Sequence, residues 1–108
     1  MNIVNADVWA RWWSQTGELE LVRLLLRHWD VVGVRETDIE PEREYVYEAS
    51  RLAAILRAGA TVADVEKALG ALGRDMSVDP DHQRDAQAAE AIVAWYRNTA
   101  RGYQPESR

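Results

Sequence analysis

The residues with the clearest capacity for chemistry form an acidic stretch between positions 35 and 48. Its acids are Glu36, Asp38, Glu40, Glu42, Glu44 and Glu48. Together with Arg35 and Arg43, these six negative and two positive charges leave a net charge of −4. Glu44 and Glu48 are four residues apart, a spacing that places two carboxylates on one helix face, where they could hold a divalent cation or share a proton.

The acidic stretch has two further interpretations. Acids in the first turn of a helix are stabilised by the helix dipole, by roughly 0.3–1 kcal/mol each, so a solvating or structural role explains them without any site. A basic protein partner is the next interpretation, because a concentrated negative patch speeds association with positive surfaces. We rank the solvating role first, the partner second and catalysis third. The net charge of −5 for the whole chain argues against non-specific binding of nucleic acid.

The two histidines, His28 and His82, lie on different predicted segments, and the chain has no cysteine. Asp30 lies two residues after His28 and could orient its imidazole at a helix end. The simpler interpretation is that His28 satisfies terminal carbonyls while Trp29 fills the core. No nucleophile lies beside this pair, and the sequence motifs of zinc proteases, phosphate-binding loops and dinucleotide folds are absent. The sequence therefore predicts a protein without catalytic residues, a metal site or a cofactor.

Three tryptophans near the start of the chain, Trp9, Trp12 and Trp13, are the second unusual feature. Their spacing of i, i+3 and i+4 forms one stripe on a helix. The first interpretation is that the stripe docks this helix onto the rest of the domain. The second is contact with a dimer partner or another protein, since tryptophan is over-represented among the energetic anchors of interfaces. The other aromatic residues considered are expected in the core or at its edge: Tyr45, Tyr47, Trp95 and Tyr96.

Hydrophobic periodicity and helix caps predict a compact all-α bundle of about five helices. Gly17 is expected to interrupt the first helix, and Thr16 to cap the second. Gly59 is expected to end the third helix in a left-handed conformation. The predicted starts of the last three helices are Pro41 in the first turn of the third, Thr61 as N-cap of the fourth, and Asp79-Pro80 as N-cap and first residue of the fifth.

Length and composition predict one domain in the cell interior. The chain has 108 residues, enough for a single core. We expect that core over 17–101, with the Trp-rich helix at 1–16 before it and a frayed tail at 102–108. The absence of cysteine favours a reducing cytoplasm. The first residues lack a basic segment followed by an apolar run, so we expect no signal peptide, and no apolar run approaches the roughly 20 residues of a membrane span.

A series of short motifs follows in order between residues 19 and 96. They are Leu24-Leu25-Leu26, Trp29-Asp30-Val31-Val32-Gly33-Val34, Glu44-Tyr45, Leu56-Arg57-Ala58-Gly59-Ala60 and the turn from Met76 to Pro80. This order resembles a family of small uncharacterised bacterial α-helical proteins with a Trp-Asp-x-x-Gly-Val turn and an acidic Glu-Tyr segment. The resemblance implies the helical fold but no established activity. Where that family has a Pro-Ile pair and flanking aspartates, this chain has Val31-Val32, Arg43 and Val46, which argues against an acid or metal site.

These observations predict a non-enzymatic protein-binding module. Its most concrete form is an immunity-type protein that neutralises a bacterial toxin by covering the toxin's active site with an acidic surface. The alternative is a structural or regulatory homodimer in which the tryptophan stripe forms a symmetric contact. The third hypothesis, an unrecognised enzyme or metal binder, would use His28, Asp30, Glu44 and Glu48. We expect neither nucleic acid nor a membrane as a partner.

Overall fold

The chain is helical through most of the part that the structure describes. The structure is a computed structural model, and it describes residues 6–31, 33 and 43–99. Its elements are α1 (Ala6–Trp12), a π-helical turn (Trp13–Gly17), α2 (Glu18–His28), α3 (Val46–Arg57), α4 (Val62–Asp75) and α5 (His82–Asn98). No strand occurs within the described ranges, so the predicted all-α class is confirmed.

The π-helical turn joins α1 and α2 into one continuous helix. Trp12 and Gly17 lie at its two internal junctions, and both have right-handed helical angles (φ −58°, ψ −45° and φ −61°, ψ −46°). Thr16 lies within the turn and caps nothing. The prediction that Gly17 separates two helices is therefore wrong. The described ranges contain four continuous helices where the sequence predicted about five.

Gly17 is needed for space and not for a break in the helix. A Cβ atom at this position would lie 2.6 Å from Cζ3 of Trp12 and 2.7 Å from Cε3 of Trp13. Both distances are far below the roughly 3.5–4.0 Å at which carbon atoms pack. The glycine thus lets two indole rings pack against the backbone of the π-helical turn, which explains a glycine inside a helix.

One hydrophobic core lies between the helices. α2 packs against α3 and α5, and α5 packs along α4. The largest fully buried side chains are Trp13, Leu21, Leu25, Leu52, Leu56, Val65, Leu69 and Ile92. Because Trp13 is among them, the core begins before residue 17, the boundary predicted from the sequence. Residues 102–108, the predicted tail, lie outside the described residues.

The turn from α3 to α4 has the predicted geometry. Gly59 has φ 94°, the left-handed conformation that ends many helices. The Thr61 hydroxyl accepts a hydrogen bond from the Asp64 N–H at 3.2 Å, and the Asp64 carboxylate accepts one from the Thr61 N–H at 2.9 Å. This capping box holds the pKa of Asp64 below its usual value, because hydrogen bonds from the Thr61 backbone and then its side chain favour the ionised carboxylate.

α5 begins later than predicted. Asp81 and not Asp79 is its N-cap, and the Asp81 carboxylate accepts a hydrogen bond from the third backbone N–H of the helix at 3.0 Å. Residues as far as Val78 cap the C-terminal end of α4, because the Val78 N–H donates a hydrogen bond to the Gly73 carbonyl at 2.9 Å. Asp79 and Pro80 therefore lie in the connection between α4 and α5, and Pro80 is not the first residue of α5.

α3 begins directly after a left-handed residue. Tyr45 has φ 56°, so the helix cannot extend back through it. Glu44 is therefore not part of α3, and the prediction that Glu44 and Glu48 share one helix face is wrong. Pro41, predicted in the first turn of this helix, lies outside the described residues.

Candidate functional site

The acidic stretch enters the described structure only at its end. Glu36, Asp38, Glu40 and Glu42 lie outside the described residues. Glu44 is exposed just before α3, and Glu48 is half-buried in the first turn of α3, where the helix dipole stabilises a carboxylate. The two acids whose positions are described thus lie together at the start of α3.

Two apolar side chains are exposed beside these acids. Val46 is 49% exposed and Tyr47 is 61% exposed. The prediction that Tyr47 belongs to the core or its edge is wrong, because Tyr45, at 4% exposure, takes the inward position. The described part of the chain has two other large exposed apolar residues, Val8 and Leu19, which lie far apart in sequence. Val46 and Tyr47 therefore form the one adjacent pair among them.

Arg51 holds the Tyr47 ring in place. Its Nη1 donates a hydrogen bond to the Tyr47 hydroxyl at 2.6 Å, and its Cζ lies 5.6 Å from the ring centroid. An aromatic ring fixed in this way loses less conformational freedom when it is buried by a partner. The α3-start surface, as we name it, consists of Glu44, Val46, Tyr47, Glu48 and Arg51.

Tyr45 anchors the α3-start surface to the core. Its hydroxyl donates to Asp30 Oδ1 at 2.9 Å, and its ring packs edge-on against Trp29 with centroids 5.5 Å apart. All three residues belong to the motifs that carry the family resemblance. Their contacts join the end of α2 to the start of α3, so they fix the position of the α3-start surface on the core.

A buried aspartate, Asp85, extends this network and was not predicted. It is 5% exposed and accepts hydrogen bonds from Trp29 Nε1 at 3.0 Å and from Arg84 Nε at 3.2 Å. The spacing of Asp85 from apolar residues of α5 could have indicated that it is buried. Asp85 lies three and seven residues before Ala88 and Ile92, which places it on the inward face of α5, and a buried aspartate requires partners. Its partner here is the buried indole N–H of Trp29.

His28 and Asp30 have separate surroundings. His28 lies in the last turn of α2 and is largely exposed. The pKa of its imidazole is lowered, first by partial desolvation and second by the positive charge of the neighbouring Arg27. Asp30 instead accepts the hydrogen bond from Tyr45. Trp29, which is 2% exposed, fills the core as predicted. Over the ranges that the structure covers, no group of three or more His, Asp or Glu side chains is placed to hold a metal ion.

The tryptophan stripe packs inside the protein. Trp13 is 0% exposed, and its ring stacks on Tyr96 at 6.1 Å and meets Trp95 edge-on at 5.8 Å between centroids. Trp12 stacks on Trp95 at 6.3 Å, while Trp9 meets Trp13 edge-on at 6.4 Å. The stripe therefore docks α1 onto α5. Trp13 is not available to a partner as predicted, because its own chain already covers it, and Trp9 and Trp12 are half-buried.

A polar cleft of about 410 Å³ lies between α4 and α5. Its ionisable lining residues are Glu66, Lys67, Arg74, His82 and Asp85. Glu66 Oε2 contacts His82 Nδ1, and Asp85 is already bonded to Trp29 and Arg84. Two acids face two permanent cations in this cleft, so it has little preference for a ligand of either charge.

The chain has no match among protein-family models, curated proteins or solved structures. The family resemblance seen in the sequence therefore stays a prediction. None of the helices in the described ranges has the length and apolar character needed to cross a membrane. Function has to be inferred from the surfaces described above.

Proposed function

We propose that this protein is a non-enzymatic protein-binding module that uses the α3-start surface, with the acidic stretch before it, to bind a basic protein. The observation that carries the proposal is the adjacent exposure of Val46 and Tyr47 beside Glu44. Tyrosine is enriched among the residues that dominate binding energy. Complementary charge raises the association rate and rejects wrong partners. An apolar centre beside Glu44 and Glu48, with four more acids shortly before it in the sequence, suits a partner with a positive surface.

The most concrete form of this proposal is an immunity-type protein that covers the active site of a bacterial toxin in the cytoplasm. A toxin that cleaves nucleic acid has a positive active-site surface, because it must bind phosphates. The net charge of −4 between residues 35 and 48 is complementary to such a surface. A homodimer built on the tryptophan stripe has less support, because Trp13 is already covered by Trp95 and Tyr96 of its own chain.

Matched substitutions at exposed residues test the proposal. Tyr47→Ala should weaken partner binding at least about tenfold, as expected for truncation of a dominant interface residue. Its free energy of unfolding should stay within about 0.5 kcal/mol of the parent, because the ring is on the surface. Leu19→Ala is the control, since Leu19 is exposed on α2, away from the α3-start surface.

The charge contribution is tested separately. Replacing both Glu44 and Glu48 by glutamine should lower the association rate and reduce its dependence on salt, whereas Glu90→Gln, on the exposed face of α5, should not. The partner is first captured from the native host at low salt, then purified and measured by surface plasmon resonance. Equal binding by the Tyr47→Ala and Leu19→Ala proteins, or no retained partner at low salt, would contradict the proposal.

A further inference from the structure

The cleft at the C-terminal ends of α3 and α5 contains two arginines that have no acidic partner among the described residues. It measures about 350 Å³, and Arg57, Ala60, Val93, Tyr96 and Arg97 are among its lining residues. Within the described ranges, the contacts of basic side chains with carboxylates are those of His82 with Glu66 and of Arg84 with Asp85, so neither Arg57 nor Arg97 is paired there with a carboxylate. Arginines without a carboxylate partner are common in the described ranges, so the distinguishing feature of these two is that they line the same cleft.

Arg57 is held rigidly in this cleft. Its Cζ lies 4.9 Å from the ring centroid of Trp9 and 5.0 Å from that of Trp13. Cation–π attraction to two indoles holds the guanidinium in place. A planar guanidinium that is already fixed loses little freedom when it forms paired hydrogen bonds to a ligand.

Three buried hydrogen-bond donors of Arg57 and the two indoles beside it have no acceptor in the part of the chain that the structure describes. They are Nε of Arg57, Nε1 of Trp9 and Nε1 of Trp13. Buried polar groups in proteins are nearly always hydrogen-bonded, so three unpaired donors in one cluster are unusual. Arg57 is the member of this cluster that lines the cleft, and its charge favours an anion there.

Neutralisation of the helix ends is the simplest alternative role for the two arginines. Arg57 is the last residue of α3, and Arg97 lies in the last turn of α5, where cations are stabilised. Each helix C-terminus carries about half a negative charge. Two such ends offset about one of the two positive charges, so an excess of about one positive charge remains among the described residues.

We propose that this cleft binds a small carboxylic acid, with its carboxylate between Arg57 and Arg97 and its apolar part against Val93 and Tyr96. A single carboxylate matches the remaining positive charge, and its two oxygens match the fork of the guanidinium. The volume of about 350 Å³ is at the small end of the range for small-molecule sites. This binding is separate from the proposed protein-binding function and does not depend on it.

Titration with benzoate, followed by two-dimensional NMR of the full chain, tests the proposal. Benzoate should cause saturable shifts of the indole N–H signals of Trp9 and Trp13 and of the Arg57 Nε–H signal. Benzamide has nearly the same shape without the charge, and it should not shift them. Arg97→Gln should weaken benzoate binding about tenfold or more, because it removes a charged hydrogen-bond donor. Arg27→Gln, at an exposed position in the last turn of α2, is the matched control and should bind benzoate like the parent.

Several outcomes would overturn the proposal. Equal shifts with benzamide would mean that the charge is not recognised. Unchanged benzoate affinity in the Arg97→Gln protein, or equal weakening in the Arg27→Gln protein, would mean that this cleft is not the site. Inorganic phosphate serves as the competing anion, and tighter binding of phosphate than of benzoate would refute the assignment to carboxylic acids.

Discussion

Replacing Asp85 by alanine should destabilise the protein much more than replacing it by asparagine. Asp85 is 5% exposed and accepts the Trp29 indole N–H at 3.0 Å, and Trp29 itself is 2% exposed. Alanine removes the acceptor and leaves a buried donor unpaired, at a cost of about 1–3 kcal/mol. The ion pair with Arg84 adds about 0–1 kcal/mol, because the Arg84 side chain is 22% exposed and water screens the pair. We expect about 2–3 kcal/mol in total for Asp85→Ala.

Asparagine separates the hydrogen bond from the charge. It has nearly the same shape as aspartate and keeps an oxygen that can accept the Trp29 indole N–H. The expected cost of Asp85→Asn is therefore about 1 kcal/mol or less, mainly from the weaker interaction with Arg84. Trp29→Phe removes the donor instead. Once that donor is gone, Asp85→Ala should cost about 1–2 kcal/mol less than it does in the parent.

Urea denaturation followed by circular dichroism measures these differences. The free energy of unfolding and the slope with denaturant are compared for the four proteins of the Trp29–Asp85 cycle and for Asp85→Asn. An unchanged slope would indicate that the folded and unfolded states have kept their compactness. Equal destabilisation by alanine and asparagine, or a coupling free energy near zero between Trp29 and Asp85, would refute a stabilising role for this hydrogen bond.

Three further variants test the fold. Gly17→Ala should lower the free energy of unfolding, measured by urea denaturation, by about 1–3 kcal/mol, because the new Cβ would overlap two indoles. This is expected although alanine is the better helix former, and a raised melting temperature would contradict it. Trp13→Ala should cost about 3–5 kcal/mol, as other large-to-small core substitutions do, and near-neutral unfolding would disprove the burial of Trp13. Asp64→Asn should lower stability at neutral pH. Since the pKa of Asp64 is lower in the folded state than in the unfolded state, its contribution is present above the unfolded pKa and disappears as the pH falls through the folded pKa. The two unfolding free energies should therefore converge in acid, and a difference independent of pH would contradict this.

Features that depend on residues close in sequence were predicted well. The capping box of Thr61 and Asp64 and the left-handed Gly59 are set by neighbours within a few positions, so the sequence contains the whole interaction. The prediction for Gly17 was wrong for the opposite reason. Its backbone is ordinary right-handed helix, and its role depends on where the rings of Trp12 and Trp13 lie, which helix propensity does not describe.

The sequence indicated the region before α3 as a candidate binding site, but it did not indicate which aromatic ring is exposed there. Charge alone pointed to the region before α3, yet Tyr45 and Tyr47 are equally acceptable core residues by type. The left-handed backbone of Tyr45 and its bond to Asp30 determine which ring is buried, and neither can be read from periodicity. Likewise, the spacing of the tryptophan stripe predicted a continuous face, but its partner on α5 became evident only through the contacts of Trp13 with Trp95.

α3 connects two separate surfaces. Tyr47 lies at its start with Glu44, Glu48 and Arg51, and Arg57 lies at its end in a cleft that it shares with Arg97. Ten residues separate Tyr47 from Arg57, which corresponds to about 15 Å along a helix. This distance exceeds the screening length of about 8–10 Å at physiological salt, so each surface acts on charged ligands almost independently of the other. Tyr47→Ala is therefore a control for benzoate binding, and Arg97→Gln is a control for protein binding. If either variant weakened both, the common cause would be a movement of α3 as a whole, and the two sites would have to be treated as one coupled system.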